Sequence, residues 1–301
     1  MAKFVRRPAF AVAIAAMALV LAACAPKLYT INLSPPHSVG SKFSLYSDIS
    51  EKSASHAVIN LPGISSPQHD DRNEEFIGHL EGDGEVLGVF PNRGIQKISL
   101  TVKVIQITRG GTAVKNLPAH GAKIVASRQG DKIAISVDDK PVDTPVADAL
   151  NELIWLDDEK SSTQECFGPK SPVKIGATWT VDPGVVEDIL KSGLGGGAKD
   201  ASGTMKLEAV NGSGENQAAK LTGDFAIKAY KPELPSTMQV DFSSIFGAMS
   251  WTVPTNSNSK GVFKFNRALT IMIHAHGSPN GGSLTLGIDG NQDRFIKITF
   301  L

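Results

Sequence analysis

The stretch Ile98–Ile107, which reads ISLTVKVIQI, alternates apolar and polar side chains strictly as far as Val104. Successive side chains of a β-strand point to opposite faces of a sheet, so this pattern predicts a strand with one packed and one solvated face. A turn at Arg109–Thr112 follows, and then come alternating segments at Gly121–Ser127 and Lys132–Val137. Together these segments predict an antiparallel meander.

A short motif at the start of this region returns later in the chain. Val39-Gly40-Ser41-Lys42-Phe43 has its counterpart 136 residues on, in Ile175-Gly176-Ala177-Thr178-Trp179. Both place an aliphatic residue and a glycine before two small or polar residues and an aromatic one. The recurrence predicts an internal duplication, with halves at 38–160 and 173–301. We expect a mainly β (α+β) fold of two related antiparallel, curved sheets, each covered by a helix.

The covering helix of the first half is predicted at Thr144-Pro145, where a capping residue precedes a proline. The apolar side chains that follow at helical spacing are Val146, Leu150, Leu153 and Ile154. In the second half, Pro183–Leu190 predicts a short helix. The segment Met238–Trp251 is compatible with either a strand or a helix.

The N-terminus carries three basic residues and then an apolar run over 9–23. This pattern predicts an export signal, because the run is too short to span a hydrocarbon core of about 30 Å. The last residues before the mature chain, Leu21-Ala22-Ala23-Cys24, resemble the lipobox of bacterial lipoproteins. In that family the cysteine thiol receives a diacylglyceryl group and the signal is cut before it. An ordinary secretory signal cut after Ala23 is the alternative.

The lipobox resemblance implies lipid attachment at Cys24, a signal peptide over 1–23 and a proline-containing tether over 24–37. Ala25 follows the cysteine, whereas an aspartate there would imply retention in the inner membrane. The resemblance therefore implies a chain anchored in the outer membrane and facing the periplasm. With Cys24 acylated, no intramolecular disulfide is possible, since Cys166 is the second of two cysteines. We expect Cys166 to be a buried small side chain; intermolecular pairing, redox sensing and a catalytic thiol are the alternatives.

Composition limits the classes of partner. The chain has 30 basic and 30 acidic residues, and loss of the signal leaves a net charge of −3. No cluster of lysine and arginine stands out in the mature part, which argues against a nucleic-acid partner. The 29 glycines and the aromatic content of 6% suit a β-rich exported protein with many turns.

Two histidines are candidate metal ligands. His274 and His276 lie two apart on a predicted strand, so both imidazoles point to one face and could reach one Zn²⁺ or Cu²⁺. A third ligand is needed, and His120 is a candidate for it. The alternative is a solvated strand face, and we expect no metal site. The mixed charge run Gln68–Glu75 is predicted to be a solvated loop.

Catalytic motifs are absent from the sequence. It contains no Gly-x-Ser-x-Gly, no His-Glu-x-x-His, no phosphate loop and no dinucleotide-binding fingerprint. We therefore expect a protein that is not an enzyme, with no catalytic residues and no cofactor. Trp155, Trp179 and Trp251 are expected to fill core volume, with a place at the mouth of a ligand cavity as the alternative for one of them.

The lipobox, the long strands and the repeated Gly-x-x-aromatic motif resemble β-rich envelope lipoproteins of bacteria. They are also weakly similar to periplasmic half-barrels that carry lipids and lipoproteins. The resemblance implies a membrane partner, through the N-terminal lipid, and one of two functions. The first is a non-catalytic binding module for a hydrophobic ligand, and the second is a structural or adaptor lipoprotein that docks another envelope protein. In the first, each curved sheet closed by its helix leaves an apolar pocket for a ligand such as an acyl chain. An open pocket of several hundred Å³ lined by aliphatic residues would favour this function, and packed cores with an exposed apolar patch would favour the second.

Overall fold

A computed structural model describes residues 26–33, 37–60, 65–130, 132–157, 163–184, 186–187, 197–214, 217–231, 238–255, 261–277 and 282–300. The predicted signal peptide and Cys24 lie outside these residues, so the lipid-attachment site stays a prediction.

The described residues form a long antiparallel meander. The strands of the first half are β1 (Lys42–Asn60), β2 (Gln68–Val89), β3 (Ile95–Arg109), β4 (Thr112–Ala113), β5 (Lys123–Gln129), β6 (Lys132–Val137) and β7 (Lys140–Pro141). The strands of the second half are β8 (Thr178–Thr180), β9 (Gly197–Asn211), β10 (Ala218–Lys231), β11 (Met238–Pro254), β12 (Gly261–Gly277) and β13 (Ser283–Phe300). Two helices have described bounds, α1 (Thr144–Leu153) and α2 (Thr163–Phe167). Of the helix predicted at Pro183–Leu190, residues 183–184 and 186–187 are helical and the others lie outside the described residues.

One sheet contains all of these strands. Its order is β7-β6-β5-β3-β2-β1-β13-β12-β11-β10-β9-β8, with β4 paired to β3 beside this path. The first and last strands pair over their whole length, from Phe43 opposite Phe300 to Asn60 opposite Ser283. The mainly β, antiparallel fold is therefore present, but two separate sheets are not confirmed, because the β1–β13 ladder joins the halves.

The sheet has a packed face and a wet face. Directly opposed residues on antiparallel strands point to the same side, so the cross-strand register assigns each side chain to a face. Phe43, Leu45 and Ile49 of β1 are buried on the side that carries α1, which we call the inner face. Ser44 and Tyr46 point to the opposite, outer face. The inner face supports one core in each half.

The core of the first half lies under α1, which contacts β1, β2 and β6. Asp143 caps the helix by accepting a hydrogen bond from the backbone N–H of Val146 at 3.3 Å. Leu150 and Leu153 are fully buried, as the helical spacing predicts. Gly78 of β2 makes room for the helix, since a Cβ there would lie 3.0 Å from Leu153 Cδ2.

The core of the second half is covered by irregular segments and by short helical ones, among them residues 186–187 with Val186 buried. Ile31 and Leu33 are 3% and 4% exposed and pack in this core. Tyr29 pairs with Val173 through two backbone hydrogen bonds of 2.8 and 3.0 Å, and Leu33 N–H donates to Gln164 Oε1 at 2.7 Å. Part of the segment predicted as a tether therefore belongs to the packed structure.

The repeated glycine motif has one backbone geometry in both halves. Gly40 and Gly176 have φ values of 85° and 84° and begin β1 and β8 from equivalent turns. Each glycine N–H donates to a neighbouring strand, to Val86 O at 2.8 Å and to Leu207 O at 2.7 Å. Gly121, with φ of 84°, repeats the pattern before β5 by donating to Val102 O at 2.8 Å. The third copy lacks an aliphatic residue before the glycine, which hides it in the sequence.

One segment differs from its prediction, and a second, compatible with a strand or a helix, is a strand. Gln68–Glu75 is not a loop, because these residues form the start of β2 and pair with β1. Their charged side chains remain exposed, and Glu75 forms a salt bridge of 2.9 Å with Lys52 on β1. Met238–Trp251 belongs to β11, a strand with Ile245, Met249 and Trp251 buried on the inner face.

Candidate functional site

An open groove of about 640 Å³ crosses the outer face of the second half. The cross-strand register places three alanines among larger and polar side chains along its floor. Asp224, Ala248 and Ala268 are directly opposed on β10, β11 and β12, and Ala226, Phe246 and Thr270 form the next row. Alanines next to a large ring leave a hollow, because they rise less from the sheet than the surrounding side chains. The remaining outer-face residues that line it are Thr180, Ser202 and Thr204.

Phe246 connects this groove to an exposed apolar patch. The patch consists of Phe242 and Phe246 on β11 and Met272 on β12, whose side chains are 49%, 50% and 42% exposed. Met272 is directly opposite Ser244, which lies between the two phenylalanines on the same face. Large apolar side chains that gather on a wet sheet face are unusual and are typical of contact sites.

The inner face carries a group of charged side chains between the two cores. Glu51, Gln292 and Arg267 lie in one cross-strand row of β1, β13 and β12. Arg294 lies in the next row, and Glu152 reaches the same region from α1. We call these five residues, Glu51, Glu152, Arg267, Gln292 and Arg294, the inner-face charge cluster.

Arg294 ties α1 to the sheet. Its Nη2 donates to the backbone carbonyl of Glu152 in the last turn of the helix. The last carbonyls of a helix have no partner within it and carry partial negative charge, so a guanidinium is a favourable partner there. The Arg294 guanidinium also lies over the indole of Trp155, with its carbon 5.5 Å from the ring centroid.

Burial dominates the electrostatics of this cluster. It lowers the pKa of Arg294 to about 10, against the opposing charge of Glu152. Burial also raises the pKa of the Glu152 carboxyl, and the negative charge of Glu51 acts in the same direction. Three cations, Arg294, Arg267 and Arg109, act on that carboxyl in the opposite direction. The inner-face charge cluster therefore holds charges within a poorly solvated region.

The core of the first half is filled. A crevice of about 10 Å³ beside Trp155 is lined by Phe43, Leu45, Ile95, Ile98 and Ile298. That volume holds about one water molecule, so the crevice is too small for an organic ligand. Trp155 is 43% exposed and does not fill the core as predicted, whereas Trp251 is buried in the core of the second half.

The predicted metal ligands do not converge. His274 and His276 share the outer face of β12, as predicted, but His276 pairs with Asp241 at 2.6 Å and His274 with Thr285 at 3.2 Å. His120 lies beside β3, where it contacts Lys103 O, and β2, β1 and β13 separate it from β12. Among the described residues, no three His, Cys, Asp or Glu side chains come together in a way that could hold a metal ion. Cys166 is buried, at 3% exposure.

Sequence reasoning missed both the groove and the inner-face charge cluster. The groove depends on which alanines are opposed, and that register is not visible in one strand. The cluster did leave a signal in β13, because Gln292 and Arg294 occupy alternation positions that hold apolar residues at Ile288 and Ile296.

Comparison with protein families and with curated proteins finds no match to this chain. One solved structure, described as lipid-protein interactions in lipovitellin, matches with a TM-score of 0.30 at 9% sequence identity. The match covers 86% of this chain but 25% of the lipovitellin chain. At this TM-score the similarity assigns neither a fold nor a function. None of the described helices has the length and apolar character that crossing a bilayer requires.

Proposed function

We propose that this chain is a lipid-anchored envelope protein that binds a hydrophobic ligand without transforming it chemically. The outer-face groove is the observation that carries this proposal. Its volume of about 640 Å³ lies within the range of about 300–1,000 Å³ that is typical of small-molecule sites. Three alanines and the ring of Phe246 give its floor an apolar surface, and Asp224 and four hydroxyl side chains around them could orient a polar end of the ligand.

The lipid anchor at Cys24 and the outer-membrane location belong to the same proposal. A chain held at a membrane by acyl groups has apolar molecules within reach, which suits a groove of this kind. Replacing Cys24 by Ser should release the chain from the membrane fraction. A chain that still sediments with membranes after this change would contradict the anchor while leaving the groove untouched.

Ligand binding in the groove is tested with the chain that carries Cys24→Ser, exported in soluble form and purified without detergent. Molecules that purify with it are extracted and identified by mass spectrometry, and the emptied protein is titrated with the neutral apolar dye Nile red. Ala248→Trp fills the groove floor, whereas Ala134→Trp makes the same change on an exposed position of β6 in the other half. We expect Ala248→Trp to weaken dye binding at least about tenfold and Ala134→Trp to leave it unchanged, because burial against the groove drives binding.

A second candidate function is supported by the patch of Phe242, Phe246 and Met272. In this alternative the patch docks another envelope protein, and the lipid anchor holds the pair at the membrane. An emptied protein that yields no apolar molecule and does not bind Nile red would overturn ligand binding. Loss of a cross-linked envelope partner in Phe242→Ser, with Ala134→Ser as the control, would then support the adaptor function.

A further inference from the structure

The inner-face charge cluster contains guanidinium N–H donors that the described residues leave unused. Arg267 Nη2 lies 3.9 Å from Glu51 Oε1, which is longer than a hydrogen bond. Glu51 is already engaged, since its Oε2 accepts a hydrogen bond of 2.9 Å from Gln292 Nε2. The Arg267 guanidinium, which is 38% exposed, therefore has donors to offer a further acceptor.

Arg294 contributes a second unused donor. Its Nη2 is occupied by the Glu152 carbonyl, but its Nε is buried and has no hydrogen-bond partner among the described residues. A buried guanidinium N–H without a partner is costly, and native structures normally supply an acceptor.

Open space and the chemistry of the two donors favour an anion as that acceptor. Gly290 lies two positions before Gln292 on the same face of β13, and a Cβ placed there would approach no atom closer than 3.9 Å, so the surface is open beside the row of Arg267 and Gln292. Three cations, Arg109, Arg267 and Arg294, share this region with the carboxylates of Glu51 and Glu152. Glu74 lies on the same face one row from Glu51, so the unused N–H donors, and not an excess of positive charge, are what favour an anion. Guanidinium forks match the oxygen spacing of phosphate and carboxylate groups.

We propose that the inner-face charge cluster binds a phosphate group through the guanidinium of Arg267 and the free Nε–H of Arg294. This site goes beyond the groove, because it lies on the opposite face of the sheet. The phosphate can come from free inorganic phosphate or from a phospholipid headgroup, since both present the same oxygens. Arg294 has a structural role at α1, so Arg267 is the residue to substitute.

Trp155 gives a local signal, because its indole lies against the Arg294 guanidinium. The experiment follows the indole N–H resonances of the chain carrying Cys24→Ser by NMR during titration with sodium phosphate. Trp155→Phe assigns the relevant resonance among the three tryptophans. We expect a saturable shift that sodium chloride at equal ionic strength does not reproduce.

Substitutions on the two faces of β12 test the site. Arg267→Gln should weaken phosphate binding at least about tenfold, because it removes a charge-assisted hydrogen bond. Arg267→Lys should restore part of the affinity. Lys264→Gln removes one charge from the exposed outer face of the same strand, and should leave the affinity unchanged. The urea midpoint of each variant shows that the fold is retained.

Vesicles identify the source of the phosphate. A shift of the Trp155 resonance by phosphatidylglycerol vesicles, absent with phosphatidylcholine and in Arg267→Gln, would support an anionic headgroup. Saturation by inorganic phosphate without a vesicle effect would support a free anion. The proposal is overturned if neither probe shifts the resonance at up to about 10 mM phosphate, the range of weak binding. It is equally overturned if Arg267→Gln binds as the parent does.

Discussion

The two halves of the sheet begin their strands in the same way but cover their inner faces differently. Gly40 and Gly176 set up equivalent turns, and the aromatic residue three positions later, Phe43 or Trp179, points to the core side in each. Above the first core lies one continuous helix, α1. Above the second core lie several short pieces: the segment that contains Ile31 and Leu33, the residues around α2, and the helical residues next to Val186. A sheet face has to be covered, but the covering element need not be repeated when the strands are.

The largest expected effect is the loss of stability when a buried side chain of α1 is truncated. Leu150→Ala should lower the free energy of unfolding by about 2–5 kcal/mol, since Leu150 is fully buried and the change leaves a cavity. Urea denaturation followed by circular dichroism measures the change. Leu87→Ala is the control, because Leu87 is 37% exposed, and a similar loss there would mean that burial under α1 is not the cause.

Leu33 tests whether the segment before β1 contributes to stability by packing on the second core. Leu33→Ala should cost about 2–3 kcal/mol in the same assay, because the side chain is 4% exposed within the second core. Leu28→Ala, at a position 60% exposed in the same segment, should have little effect. Equal, negligible changes in both variants would restore the interpretation of 24–37 as a tether.

The shared turn predicts matched, smaller effects in both halves. Gly40→Ala and Gly176→Ala should each cost about 1–2 kcal/mol, because left-handed backbone disfavours a Cβ although space is open around both residues. Gly287→Ala is the control, since its surroundings are equally open and it is not among the positive-φ glycines. Unequal costs at Gly40 and Gly176 would show that the two turns are not energetically equivalent.

The smallest expected effect concerns pH at the junction of the halves. Burial raises the pKa of Glu152 in the folded chain, so the folded state holds a proton that the unfolded state releases. Its contribution to stability is therefore present below the ordinary glutamate pKa of 4.5 and is lost as pH rises through the raised value. Glu152→Gln should gain stability relative to the parent as pH rises from 4 to 8.

Thermal unfolding of both proteins across this range measures the difference. A variant that loses stability relative to the parent with rising pH would show that the charge of Arg294 outweighs burial.

The parts of the fold that the sequence predicted are those governed by local periodicity. The strand at Ile98–Val104 and the helix with Leu150 and Leu153 follow from the spacing of their own side chains. The joining of the halves does not, because the alternation in β1 is equally compatible with any antiparallel neighbour. The buried segment around Ile31 was not predicted, although Tyr29, Ile31 and Leu33 alternate with polar residues, because the prolines on either side favoured a tether.

The sequence did not predict the candidate site for a related reason. Ala226, Ala248 and Ala268 are ordinary alanines in three separate strands, and they form a groove floor only once register is known. Arg267 likewise looks like one exposed cation among thirty basic residues. Gln292 and Arg294 did indicate a polar site in the sequence, because they occupy positions where the strand alternation predicts apolar residues.

The pairing of β1 with β13 also has a kinetic consequence. Asn60 and Ser283 share a side-chain hydrogen bond of 2.9 Å although 223 positions separate them. Such remote pairing is slow, because a long loop must close before the ladder stabilises the chain. Because synthesis begins at the N-terminus, β1 has to wait for the last segment, with one edge open to other strands. We therefore expect refolding to be limited by this closure, and the unpaired β1 edge to be the place where aggregation begins.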